Sequence, residues 1–303
     1  MNSNRFQMNI TRAENYCSQF RDNDFRLITG LQKYVFIKIY CKYCGPKTPI
    51  PNPHALFMLF HFYRNYPART EYEVAYYMKY DTVMYERNIR KYEDYLASVI
   101  DELNKPFQQR ISPNNRLPRI FPSNITGAID TFPIRIYRPK KKLLVKATMN
   151  PKYKSCVLKV QVMVDHTGNI IWFSGPHLGT ISDIELWRRY KPKNKLYNNE
   201  LFLADKAYIG SQDCITEIKK YKSRDLTDVQ KAWNRIIQWY RSSVEHGIGY
   251  VKRFKILSDK YRGRLEKDEE AITRLGKIVK ICIHASTIHT SLNPHRVPQL
   301  NYA

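Results

Sequence analysis

The stretch Leu201-Phe202-Leu203-Ala204-Asp205-Lys206-Ala207-Tyr208 decides how this chain is read. Its first four residues form a continuous apolar run, the pattern of a strand buried on both faces rather than a half-exposed, alternating one. The run ends on a carboxylate. A bare carboxylate inside a protein is costly, so one placed where a central strand stops is paired, hydrogen-bonded or bound to a metal. Taken alone, Asp205 reads first as a cap of the following turn near Gly210. Its meaning depends on the other acids along the chain.

Working outward, residues 157–164 alternate, Asp165-His166-Thr167-Gly168-Asn169 is a turn cluster, and residues 170–173 resume an apolar run. That is a hairpin signature. Residues 126–136 mix apolar residues and β-formers around Asp130, and residues 180–190 read as a helix starting near Ser182 or Asp183. Further helices are expected at about 213–221, 227–254 and 271–288. Three strands, a crossover helix and a strand parallel to the first describe an α/β fold of RNase H-like layout, a mixed sheet flanked by helices. In that layout the first and fourth strands are neighbours, so Asp130 and Asp205 meet although 74 residues separate them. The long helix offers a third acid, Glu245, with 39 residues between it and Asp205.

Three converging carboxylates repel one another unless cations lie between them. An all-oxygen donor set suits Mg²⁺ or Mn²⁺, and two such ions about 3.5–4 Å apart support phosphoryl transfer. Arg241, Gly249 and Lys252 fall on the helical face of Glu245, a pattern suited to cradling a DNA backbone, while Ile237, Tyr240, Val244, Ile248 and Val251 form the opposite, apolar face. The plain alternative for Glu245 is an ion pair with Arg241 one turn before it.

The composition agrees with a polyanionic partner. Lys and Arg total 51 against 27 Asp and Glu, a net charge of +24. No apolar stretch approaches the ~20 residues of a membrane span, and residues 1–20 lack the apolar segment of a signal peptide. Double-stranded DNA is the partner to expect, and a membrane is not. Six scattered cysteines fit a reducing compartment. Cys41-x-x-Cys44 has metal-ligand spacing but no matching second pair, so two ordinary thiols are the reading and structural zinc the alternative. No acidic residue occurs between Thr131 and Val164, an interval that contains Lys140, Lys141 and Lys142; it is read as phosphate-binding, with a weak nuclear-localisation pattern at 139–142.

Residues 1–50 form a basic segment ending in a proline-rich connector. Residues 51–104 read as three helices: one from His54 buried on one side, one opened by the capping box Thr70-Glu71-Tyr72-Glu73, and one over about 82–103. The short break between the last two predicts a helix-turn-helix, with Arg87 and Arg90 on its DNA-facing helix; Glu86, Glu93 and Asp94 on that helix oppose this, and a plain three-helix unit is the alternative. Residues 105–123 form a linker, 124–290 the catalytic domain and 291–303 a tail.

Four blocks, in order, resemble the PIF/Harbinger-type transposases, the DDE superfamily endonuclease group. They are Thr126-Gly127-Ala128-Ile129-Asp130-Thr131-Phe132-Pro133-Ile134; residues 159–165 with Ser174-Gly175-Pro176 and Gly179-Thr180-Ile181-Ser182-Asp183; Leu203-Ala204-Asp205-Lys206-Ala207-Tyr208-Ile209-Gly210; and Val244-Glu245-His246-Gly247-Ile248-Gly249-Tyr250-Val251-Lys252. Ala207, Thr131-Phe132 and Ile248 depart from the family's usual residues, and no carboxylate is lost. The resemblance implies that Asp130, Asp205 and Glu245 form the catalytic, metal-binding triad, with two Mg²⁺ or Mn²⁺ ions per site. Asp183 is then a cap or supporting acid, and Arg241, Lys252 and Arg253 lie on the DNA-binding side. It further implies cut-and-paste chemistry at transposon ends, a homo-oligomer on DNA, a Myb-like partner in related systems, and a nuclear location in a eukaryote or a cytoplasmic one otherwise. The alternative is a domesticated, catalytically silent DNA-binding protein.

Overall fold

The computed structural model describes residues 3–67, 73, 75, 79, 81–103, 107–110, 117, 121–192, 196, 197, 199–220, 225–263 and 269–294. These fall into two units. One draws on residues 1–101, 134–141 and 251–289, the other on 102–133, 142–250 and 290–303. The grouping differs from the expected linear division at 105–123.

The first unit is helical. Its N-terminal part, expected to be only a basic segment, forms α1 (Ser3–Ser18), α2 (Asp22–Thr29) and α3 (Lys33–Tyr43). The basic, aromatic run of α3 hides a stripe: Val35, Phe36, Ile39, Tyr40 and Tyr43 are buried, Lys38 and Lys42 are exposed, and Lys33 donates to Phe20 O. Helix α4 (Pro53–Asn65) starts on Asn52, whose side chain accepts from Ala55 N at 2.9 Å, with Pro53 in the first turn, where its missing N–H is harmless. The sequence predicts burial on one side; instead Pro53 and every residue from Ala55 to Tyr63 are buried, because apolar residues occupy nearly every position of the turn. Helix α5 (Thr82–Val99) is capped by Asp81. The capping-box helix expected from Thr70 lies almost wholly outside the described residues.

The acids of α5 that oppose a DNA-facing role are engaged elsewhere. The short helix α6 (Phe107–Arg110) belongs to the other unit, but the C-terminal helix α11 (Glu269–Leu292) groups with this one. Arg274 of α11 bonds the buried Glu93 at 2.8 Å, Lys277 bonds Asp94 at 2.7 Å and Lys280 donates to Ala97 O at 2.7 Å. The apolar stripe of α11, including Leu275, Ile278, Val279 and Cys282, is fully buried. A helix placed in the catalytic domain by chain order therefore packs with the N-terminal helices.

The second unit is built on a mixed sheet. Its strands are β1 (Ile125–Arg135), β2 (Met149–Asn150), β3 (Ser155–Asp165), β4 (Ile170–Leu178), β5 (Leu201–Ala204) and β6 (Cys214–Thr216). The order is β2-β3-β1-β5-β6, with β4 pairing β3. Strands β3 and β4 form the antiparallel hairpin expected around Asp165-His166-Thr167-Gly168-Asn169, and β5 runs parallel to β1. The Asp165 side chain closes the turn, accepting from Thr167 N at 2.9 Å and Asn169 N at 3.0 Å. Helix α7 (Lys142–Thr148) follows β1, α8 (Asp183–Tyr190) follows β4 and α9 (Asp228–Val251) is the long helix, whereas α10 (Lys255–Ser258), a single turn, groups with the first unit.

Two local expectations fail for tertiary reasons. The helix anticipated at 213–221 is replaced by β6, whose Cys214, Ile215 and Thr216 pair with Phe202, Leu203 and Ala204. An open edge of β5 offers those residues, two of them β-branched, a complete ladder, which outweighs a weak helical pattern. The alternation of β3 does not divide core from solvent, since Cys156 to Asp165 are all buried. Its polar members turn inward to partners: Lys159 to Asp183 and Gln161 to Tyr208.

A buried ion pair anchors the start of β5. Arg110 of α6 grips Glu200 with Nε at 2.8 Å and Nη2 at 2.6 Å, the side chains being 4% and 0% exposed. Thr126 Oγ1 and Tyr197 N also donate to that carboxylate. Glu200→Ala takes the carboxylate away from a buried guanidinium, and is expected to destabilise by about 3 kcal/mol in urea unfolding. Replacing both partners by methionine is expected to restore most of that loss; no recovery would mean that the surrounding packing, not the buried charge, sets the cost.

Candidate active site

Strand register carries the site. Ala128 of β1 pairs with Leu203 of β5, so two residues further along each parallel chain Asp130 stands level with Asp205 on the same side of the sheet. Asp205 lies just past β5 and caps the 3₁₀ turn Lys206–Tyr208, its Oδ1 accepting from Ala207 N at 2.7 Å. The turn-cap reading and a role in the site are thus compatible, because Oδ2 is not used in the cap.

Asp130 is largely desolvated, which pushes its carboxyl up to about 6. The Thr131 N–H, at 2.7 Å, and the Arg241 guanidinium pull it down, while Asp205 and Asp183 add to the rise. Next to it, the Thr131 hydroxyl and the buried Tyr208 hydroxyl lie 2.9 Å apart, and Gln161 Nε2 donates to Tyr208 at 2.9 Å and to the Asp183 carbonyl at 3.0 Å. Asp183 is not the cap of α8. Ser182 fills that place, accepting from Glu185 N, and Asp183 accepts from the nearly buried Lys159 at 2.9 Å.

Glu245 sits on the exposed side of α9, its side chain 67% exposed. Arg241, only 12% exposed, lies between the acids: Nη2 is 4.0 Å from Asp130 Oδ2 and 3.9 Å from Glu245 Oε1. Its firmest partner is Glu217, at 3.3 Å, which also takes Lys206 at 3.0 Å and Gln238 at 3.1 Å. A helical reading of 213–221 conceals Glu217; as the residue after β6 it is brought to the same cluster. The face of α9 opposite Glu245 is the expected apolar one, with Ile237, Tyr240, Val244, Ile248 and Val251 buried. Gly247 provides the close approach to the sheet, where an added Cβ would come 3.3 Å from Gly168 O and Val164; at Gly249 it would meet nothing.

Of the expected DNA ligands, Arg241 is committed to carboxylates and Arg90 to Glu86, four residues away on the same helix. Lys140, Lys141, Lys142 and Arg87 are exposed, and Lys252 and Arg253 are half-buried at the end of α9. Cys41 and Cys44 are buried, and desolvation pushes the Cys41 thiol up to about 11 and that of Cys44 higher still. Among the described residues no helix is long and apolar enough to span a membrane.

The donor chemistry of Asp130, Asp205 and Glu245, carboxylate oxygen throughout, fits a hard divalent cation. In the arrangement described, no three His, Cys, Asp or Glu side chains among the described residues converge tightly enough to hold one. The cation facing Asp130 and Glu245 is Arg241.

Residues 129–284, which include Asp130, Asp183, Asp205 and Glu245, match the DDE superfamily endonuclease family. The chain is also similar to the probable transposase for insertion sequence element IS702 of Microchaete diplosiphon, with 34% identity over 134 residues, 43% of this chain. That similarity spans 47% of the relative's own length. No solved structure matches the chain. With the family match covering just over half of its length, around a mixed sheet that sets Asp130 beside Asp205, the chain belongs to the DDE superfamily endonucleases.

Proposed function

We propose that this protein is the metal-dependent endonuclease of a transposase, cutting and joining DNA strands by two-metal phosphoryl transfer at Asp130, Asp205 and Glu245. The observation that carries the reading is the β1–β5 register, which sets two carboxylates level within the family match. When bound, a pair of Mg²⁺ or Mn²⁺ ions supplies activation of the attacking water or 3′-hydroxyl and stabilises the departing oxygen. Asp130 and Asp205 would hold the ions from the sheet, with Glu245 of α9 as the third donor. The Thr131 N–H and, after it, the Arg241 guanidinium offset part of the rise that burial imposes on the Asp130 carboxyl. Lys159 holds Asp183 out of the donor set, in a supporting position.

The finer reading rests on the four motif blocks. It is a PIF/Harbinger-type enzyme acting as a homo-oligomer on terminal repeats and target DNA, with a Myb-like partner, in the nucleus of a eukaryotic host or the cytoplasm otherwise. The similarity to the IS702 transposase supports transposition as the reaction in either setting. A helix-turn-helix at 51–104 would place Arg87 over DNA, since that arginine is exposed on α5.

The test is nicking of supercoiled plasmid with Mg²⁺, with Mn²⁺ and with chelator, comparing wild type with Asp205→Asn and Glu245→Gln. Metal-dependent cutting that both variants lose while still binding DNA is the expected result. Equal cutting by all three proteins would remove these acids from the mechanism. Binding without any cutting, with terminal repeats and partner supplied, would favour a silent DNA-binding descendant of a transposase.

A further inference from the structure

The register that sets Asp130 beside Asp205 continues across the sheet. Ala204 of β5 pairs with Thr216 of β6, so Glu217 follows beside Asp205 on the next parallel strand. Glu217 thus stands in line with two of the proposed metal ligands, yet its side chain is only 7% exposed and is taken up by other groups. Its Oε1 accepts from Arg241 Nη1 at 3.3 Å, and its Oε2 takes Lys206 Nζ at 3.0 Å and Gln238 Nε2 at 3.1 Å. Both cations border the proposed triad: Lys206 directly follows Asp205, and Arg241 lies between Asp130 and Glu245. A carboxylate already holding two cations and an amide is no open metal donor, and its position gives it another use.

Arg241 depends on this acid. A guanidinium is a rigid plane, so fixing Nη1 also limits where Nη2 can go. Nη2 stops 4.0 Å from Asp130 Oδ2 and 3.9 Å from Glu245 Oε1, beyond the hydrogen-bonding range of either. Nε is buried and makes no hydrogen bond among the described residues. The contact that holds the head group is therefore the one to Glu217. Without it, a shift of roughly 1 Å brings Nη2 to the about 2.7–2.9 Å of a charge-assisted hydrogen bond. Glu245, one turn along the same helix and 67% exposed, is free to turn and meet it. An arginine paired in that way occupies oxygens that a divalent cation needs, and adds positive charge beside them. Lys206, 48% exposed, meets water when released, so the effect falls on Arg241.

We infer that Glu217 is a positioning residue of the metal site: it holds Arg241 back from Asp130 and Glu245 and so keeps their oxygens free for a divalent cation. The role rests on the reading of Asp130, Asp205 and Glu245 as the metal-binding acids. The test is a double-mutant cycle on the full chain without DNA: wild type, Glu217→Gln, Arg241→Gln and the double variant. Mn²⁺ affinity is read from the EPR signal of the free ion, Asp205→Asn marks the binding that belongs to this site, and circular dichroism checks that each protein is folded. Glu217→Gln is expected to weaken Mn²⁺ binding roughly tenfold with Arg241 present and by less than about threefold with Arg241→Gln. A charge acting directly on the ion would weaken binding equally in both backgrounds. That result, or no weakening in either, overturns the positioning role and leaves the metal reading intact. Binding by Arg241→Gln but not by wild type overturns it too, since Glu217 then fails to hold the guanidinium clear. If none of the four proteins binds Mn²⁺, or Asp205→Asn binds it as wild type does, the metal reading falls and takes the role of Glu217 with it. Should Glu217→Gln not fold, Glu217→Asp goes through the same cycle. It keeps the charge, sets it back by one methylene, and is expected to weaken binding several-fold only where Arg241 is present.

Discussion

Asp130→Asn is expected to lower strand cleavage by roughly 10³-fold or more while making the metal-free protein more stable. The two effects share one cause. Burial raises the Asp130 carboxyl to about 6, so the folded protein binds this proton more tightly than the unfolded chain, where the group titrates near 3.8. The stability linked to that proton is fully present below about 3.8 and is lost as pH rises through about 6. At pH 8 the ionised carboxylate therefore costs about 2 kcal/mol, allowing for its partial contact with solvent. Asparagine keeps the shape without the charge. Arg241 loses only a 4.0 Å contact and retains Glu217, so no guanidinium is orphaned. The measurement is Tm at pH 8 and pH 4: a gain of roughly 4–8 °C at the higher pH and little change at the lower. If Asp130 is the metal ligand proposed above, added Mg²⁺ is expected to raise the Tm of wild type more than that of the variant. A Tm loss of equal size at both pH values would show that Asp130 is a structural hydrogen-bonding residue rather than a strained charge.

Gly127→Ala is expected to destroy the catalytic sheet. The constraint is space rather than backbone conformation. A Cβ at position 127 would lie 2.2 Å from Val164 O and 3.2 Å from Asp165 Cα, both main-chain atoms of β3. A side chain could rotate away; a strand cannot, because β3 is held by β4 along its length. The alanine must therefore push β1 off β3, three residues before Asp130. A cost of roughly 4 kcal/mol or more is expected in urea unfolding, with cleavage lost alongside it. The contrast is Gly249→Ala. That glycine is exposed on α9 with nothing within 4 Å of an added Cβ, so alanine there is expected to stabilise by about 0.5–1 kcal/mol. Wild-type stability for Gly127→Ala would mean that β1 and β3 are not packed at this distance.

What the sequence determined by itself is what periodicity and local chemistry encode. Leu201–Ala204 is apolar without alternation, and it is a buried strand ending at Asp205. The Asp165–Asn169 cluster closes the β3–β4 hairpin, and the 3.6-residue spacing along α9 separates its buried face from the side carrying Glu245. Each depends on neighbours within a few residues, so it survives any change in what the element packs against.

The rest was decided only in three dimensions, because a pattern states that a face is apolar or a residue charged without naming its partner. Residues 214–216 became a strand because β5 had an open edge, and that alone delivered Glu217 to Arg241 across 24 positions of sequence. Lys159 and Gln161 look solvent-facing in an alternating strand, yet they are buried against Asp183 and Tyr208. Glu93 and Asp94 look hostile to DNA on α5, yet Arg274 and Lys277 of α11 take them up. Arg241 looks like a phosphate ligand one turn from Glu245, yet in the fold it is the counter-ion of Asp130 and Glu217. Charge pairing acts over a few ångströms of space, and folding alone chooses which distant residues come within that reach.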